Sequence, residues 1–176
     1  MLICAIIIYE TQGGIFMRSD VVKKKHNRRF KEPPTFFPKR FKGDRLKWQG
    51  CWPYALNAKY GYFALVGDFI GKRRKYNATN EELISTVIEE GEYFGLEIKQ
   101  VDEKYEPEKG EYLIYLRRGR HDGYYHFLRR DSNGQWSHKH PGKLPEMVNF
   151  EKEHYVPEGD SFSIGFFFAI KEREDR

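Results

Sequence analysis

An α+β domain, helices first and then a mostly antiparallel sheet, is the fold that the sequence predicts. Three observations predict it. A capped apolar stripe runs from Thr79 to Gly95. A succession of strand patterns follows it: LEIKQV, EYLIYLRR, GYYHFLRR, QWSHK and FSIGFFFAI. A turn sequence, Asp131-Ser132-Asn133-Gly134, joins the third of these to the fourth.

Composition sets the outer bounds. A chain of 176 residues can bury one real core. Hydrophobic residues make up 39% and charged residues 32%, with a mean hydropathy of -0.78. No stretch reaches the roughly 20 apolar residues that a bilayer span needs. The net charge of +5 suits nucleic acid, acidic lipid or an anionic cell-wall polymer equally well. Two cysteines, Cys4 and Cys51, are too few for a disulfide framework or a four-cysteine zinc site. The opening LICAIIIY has neither a basic leader nor a small-residue cleavage site, so a secretory signal is not expected. Residues 1–16 need not be native, because Met17 is an alternative start. Location is left open between the cytoplasm and export without a clear signal peptide.

Residues 1–47 read as a basic, proline-containing N-terminal arm, and residues 48–176 as a single α+β domain. Pro33, Pro34 and Pro38 exclude a continuous helix in the arm. A solvated leader can wrap the domain through Phe36, Phe37 and Phe41; the basic charge would also suit an anionic polymer.

A short helix is predicted to begin at Cys51 in GCWPYALNAKYG. Pro53 lies in its first turn, where a missing N–H costs nothing. Cys51, Tyr54 and Ala55 share one face. The longer helix starts at a Thr79–Glu82 capping box and carries Leu83, Ile84, Val87, Ile88 and Phe94 as one stripe. Gly95 closes it. The N-A-T triplet at Asn77 matches a glycosylation acceptor but needs a secretory context. In the sheet, a three-residue loop of Ser132, Asn133 and a left-handed Gly134 would set Leu128 opposite His138. His126 and His138 then share a face as diagonal neighbours, whereas a two- or four-residue loop would separate them. The aromatic run of FSIGFFFAI points to a strand buried on both faces.

Cys51 and these two histidines carry the chemical signal. A thiol is a weak nucleophile until ionised. A helix start and a nearby imidazolium both lower its pKa. The Cys51 backbone N–H would be free to bind an oxyanion. His138 could orient His126 as the third member of a triad does. Cysteine is also a common small buried hydrophobe, which is the plain structural alternative.

The motif C-x-x-Y plus a small residue, here Cys51, Trp52, Pro53, Tyr54 and Ala55, resembles the nucleophile motif of CHAP amidohydrolases/peptidases. The strand KGEYLIYL, then His126, Asn133-Gly134 and His138, is similar in order and spacing to NlpC-type papain-like cell-wall hydrolases. The resemblance covers roughly Gly50 to His140. It implies a papain-like fold with a nucleophile helix packed on an antiparallel sheet. It also implies a cysteine-dependent amide hydrolase with Cys51, His126 and His138 as catalytic residues. Gln49, Trp52 and Tyr54 are the oxyanion or substrate candidates, and the substrate would be a peptidoglycan peptide or a protein. The D-C-S-G motif is absent, and Arg129-Arg130 stand where apolar residues are usual.

Other readings use the same residues. His121, Asp122, His126, His138 and His140 offer imidazole and carboxylate ligands, but H-E-x-x-H and C-x-x-C spacings are missing, so neither metal nor cofactor is expected. His121 is a rival base in a loop, Asp131 suits the hairpin turn, and His26 and His154 have no evident partners. Arg117, Arg118, Arg120, Arg129 and Arg130 interleave with Tyr124, Tyr125 and Trp136, a pattern compatible with single-stranded nucleic acid. A catalytically inactive ligand-binding module on the same fold is the third reading.

Overall fold

The computed structural model describes residues 33–58, 63–73, 78–119, 124–150 and 162–173. It is α+β, with helices on one side of a six-stranded sheet. A 3-10 turn (Pro38–Phe41) leads to helices α1 (Asp44–Lys47) and α2 (Cys51–Ala55). A second 3-10 turn (Asp68–Ile70) precedes helix α3 (Asn80–Tyr93). Strands β1 (Leu96–Val101), β2 (Tyr112–Gly119), β3 (Tyr125–Arg130), β4 (Trp136–His138), β5 (Glu146–Val148) and β6 (Phe162–Glu172) follow. The sheet order is β1-β6-β2-β3-β4-β5, with every pair antiparallel. Among the described residues no helix is long and apolar enough to cross a membrane.

The local signals explain the elements. Both halves of the capping box form: Glu82 N–H donates to Thr79 Oγ1 at 3.2 Å, and Thr79 N–H donates to Glu82 Oε2 at 2.8 Å. A cap of this kind is worth about 1 kcal/mol. Leu83 and Val87 are buried, and Ile84, Ile88 and Phe94 pack partly buried beside them. Gly91 lets α3 lie close on β1, since a Cβ there would stand 2.4 Å from Ile98 Cδ1.

The β3–β4 hairpin has the expected loop. Asp131 N–H donates to Gln135 O at 2.8 Å, and Gly134 adopts φ 80°. The register pairs Leu128 with His138 and Arg129 with Ser137. β5 is an addition to the sequence reading. It is three residues long, mostly exposed, and has no apolar alternation to announce it.

Both sheet faces are covered. Trp52, Leu83, Val87, Ile114, Leu116 and Phe127 pack together on the helical side. Leu113, Tyr115, Leu128, Trp136, Phe167 and Ala169 form a second cluster on the other. In β6, Phe168 and Ile170 serve the first cluster while Phe167 and Ala169 serve the second, so the aromatic run is buried on both faces. The same alternation gives β3 two sides. Tyr125 and Phe127 face the helices, and Leu128 faces away. His126 leaves the strand on the Leu128 side by this periodicity.

Residues 38–47, read as part of the arm, form the first 3-10 turn and α1. Phe41 is buried and meets Tyr54 edge-on, with ring centroids 5.5 Å apart. Ser132 N–H also donates to Pro34 O at 2.8 Å, tying the arm to the hairpin. Phe37, by contrast, is exposed. Asn77, Arg120, His121, Asp122, His26 and His154 lie outside the described residues.

Candidate functional site

Cys51 is the first residue of α2, and three buried groups fix that helix start. Glu90 of α3 is fully buried and accepts from Trp52 Nε1 at 2.6 Å, Gly67 N at 2.8 Å and Phe69 N at 2.8 Å. Lys139 Nζ donates to Lys47 O and Gln49 O, both at 2.9 Å, and to His140 O at 3.2 Å. Burial lowers the Lys139 ammonium to about 8. Gln49 Nε2 donates to Ala58 O at 2.9 Å, closing the loop around α2.

The thiol is partly buried. Burial pushes it up to about 11, against the backbone N–H groups of Phe127, Trp52 and Cys51 and the Arg117 guanidinium, which favour the thiolate. This corrects the expectation of a lowered thiol pKa. A five-residue helix supplies little dipole, and desolvation outweighs it.

The two predicted histidines meet. His126 Nε2 lies 2.9 Å from His138 Nδ1, and His138 Nε2 lies 3.0 Å from Glu146 Oε1. His126 is 1% exposed and His138 6%. His140, two residues beyond, stacks on His126 with centroids 4.6 Å apart and planes 13° from parallel. One ring nitrogen from each of His126, His138 and His140 lies within 4.8 Å of the others. Burial first, then the neighbouring His140, Arg117 and His138, hold His126 well below its ordinary pKa. Burial, helped by His138 and Lys143, brings His140 to about 4.

The network also sets the tautomers. Glu146 can only accept, so His138 Nε2 carries a proton. With a neutral His138 ring, its Nδ1 accepts and His126 Nε2 donates. The lone pair of His126 then sits on Nδ1, which is buried and has no hydrogen-bond partner. Cys51 is therefore not hydrogen-bonded to His126, and both His138 nitrogens are already engaged. The sulfur lies beside the Phe127 amide, one residue along from His126. It packs against the helical-side core, whereas the His126 ring leaves β3 on the other face.

The remaining candidates take structural places. Trp52 and Tyr54 are both buried. The Tyr54 hydroxyl lies 2.7 Å from Ser137 Oγ and accepts from Arg129 Nη2 at 3.1 Å. Arg129, counted with the basic surface residues from sequence, is 2% exposed. It donates to Asp131 Oδ1 from Nη2 at 2.7 Å and from Nε at 3.0 Å. It also donates to Tyr54 O at 3.1 Å and stacks over the Tyr54 ring at 4.1 Å. Asp131 also bonds Ser137 Oγ, so it orients an arginine and a serine inside the hairpin. Arg118 is spent on Asn80 Oδ1, at 2.6 Å, and on Ala78 O. Glu146 and His140 complete the histidine cluster; the sequence offers His140 only as a possible metal ligand and does not single out Glu146. The signal available was the H-K-H spacing of residues 138–140, which on an extended chain puts two imidazoles on one side.

The chain matches no protein-family model, no curated protein and no solved structure.

Proposed function

We propose that the chain is a papain-like cysteine hydrolase that cleaves an amide bond. The observation that carries this reading is His126 Nδ1, a buried ring nitrogen without a partner, one residue from the amide against which the Cys51 sulfur lies. A base needs a free lone pair held in place, and the His138–Glu146 relay supports that tautomer. In this scheme His126 Nδ1 takes the thiol proton as Cys51 Sγ attacks the substrate carbonyl. The tetrahedral adduct collapses to a thioester and the amine leaves with the proton from His126. Water, deprotonated by His126, hydrolyses the thioester and restores the thiol.

Because burial disfavours both charged forms, the resting pair is neutral thiol and neutral imidazole, and proton transfer accompanies attack. The scheme requires His126 Nδ1 to reach the sulfur past the Tyr125–Phe127 stretch of β3, which β4 does not pair. A peptidoglycan peptide or a protein is the substrate that this reading implies. Hydrolysis of purified sacculi and of an unfolded protein substrate, assayed with the native chain and with Cys51→Ala, tests it. Turnover that vanishes with Cys51→Ala supports the reading, and turnover indifferent to that change removes it. The nucleic-acid reading is weakened by Arg129, which is buried and already paired.

A further inference from the structure

We infer that His126, His138 and His140 form a binding site for a borderline-soft divalent cation such as zinc, with Glu146 as its outer carboxylate. The inference stands whether or not Cys51 is a nucleophile.

Three features carry it. One nitrogen of each ring already lies within 4.8 Å of the others. Two of the three rings are buried, so they come pre-positioned by the sheet. Register does the positioning: His138 is paired with Leu128, which makes His126 its diagonal neighbour, and His140 follows on the same side. The third feature is the bond from His138 Nε2 to Glu146 Oε1 at 3.0 Å. Metal-ligating imidazoles commonly donate their other N–H to a carboxylate, which fixes the tautomer and raises ligand basicity. His138 meets that requirement with Nδ1 directed at the centre of the cluster.

Tetrahedral zinc would require the three rings to adjust around it. Zn–N bonds of about 2.0–2.1 Å put ligand nitrogens about 3.3–3.4 Å apart. The His126–His138 pair stands at 2.9 Å and must open by a few tenths of an ångström, while the widest separation in the cluster, up to 4.8 Å, must close by more than an ångström. On binding, the single His126 proton would move from Nε2 to Nδ1, where a partner is now lacking, leaving the Nε2 lone pair for the ion. Three imidazoles leave a fourth position for water or a substrate atom. Half-buried His140 and exposed Glu146 mark the route in from solvent. A bound ion would withdraw His126 as a base, so metal binding and Cys51 chemistry would compete for one ring.

Cobalt(II) serves as the probe, because its visible bands report tetrahedral coordination directly. The full chain is titrated with cobalt(II) alone, beside Cys51→Ala, His140→Gln and Glu146→Gln, each checked for folding by circular dichroism. The expected result is intense tetrahedral bands in the native chain and in Cys51→Ala. His140→Gln should abolish them, and Glu146→Gln should weaken affinity about 10- to 100-fold. Absence of bands in the native chain overturns the site, as does their survival in both His140→Gln and Glu146→Gln. Their loss in Cys51→Ala would show a thiolate ligand and equally overturn the three-histidine assignment. If His140→Gln does not fold, the affinity of Glu146→Gln decides. Cobalt binding without hydrolysis leaves this site in place and removes only the hydrolase reading; hydrolysis without cobalt binding does the reverse.

Discussion

His126 and His138, both buried, share one hydrogen bond, 2.9 Å from Nε2 to Nδ1. The bond joins neighbouring strands, and it exists because the hairpin loop is three residues long. Shortening the loop by one residue would slip the register and turn His138 to the other face. The pair is thus a consequence of Gly134 at φ 80° as much as of the histidines themselves.

The relay predicts a graded loss at its second ring. His138→Ala should lower kcat/KM for amide hydrolysis about 10²- to 10⁴-fold, the range in which a positioned proton-transfer group contributes. Glu146→Gln should cost less, since it keeps a hydrogen-bonding side chain where His138 Nε2 needs an acceptor. Steady-state kinetics on the three proteins checks the order.

The Cys51 thiol should ionise late. In a Cys4→Ser background, the iodoacetamide alkylation rate of Cys51 should rise through an inflection near 11, because burial opposes the thiolate. At pH 7 the group is a neutral thiol and reacts slowly. An inflection below pH 8 would mean that the thiolate is stabilised well beyond what the Arg117 guanidinium and the backbone N–H groups supply.

Acid should destabilise the fold through the histidine cluster. His126 and His140 have lowered folded-state values, with His140 at about 4, whereas an unfolded imidazole titrates near 6.5. Between these values the unfolded chain binds more protons, so unfolding free energy falls as pH drops from about 6.5 toward 4. His140→Gln should flatten this dependence, as read from thermal midpoints at pH 7 and pH 5.

The Arg129–Asp131 pair predicts the largest single loss of stability. Both side chains are essentially buried, and removing Asp131 strands a guanidinium inside the hairpin. Asp131→Ala should cost about 3–5 kcal/mol in denaturant unfolding. Arg129→Met with Asp131→Leu should recover much of that loss, because no uncompensated charge then remains.

Much of this architecture was legible in the sequence, for local reasons. The α3 cap is a four-residue pattern, and the hairpin register follows from loop length and one left-handed glycine. What escaped depends on contacts between distant residues. Arg129 reads as a solvent-facing residue until Asp131, two positions on, and Tyr54, far upstream, are seen to satisfy it. β5 is too short to show a period, so Glu146 was not placed beside His138. The sign of the Cys51 shift turned on burial against a five-residue helix, a balance that spacing alone does not reveal.

The most direct measurement is kcat/KM for amide hydrolysis by the native chain, Cys51→Ala, His126→Ala and the double variant, all in metal-free buffer. A nucleophile and its base act as one unit, so each single change should remove turnover to background and the double change should do no further harm. Equal rates in the native chain and Cys51→Ala would contradict the account.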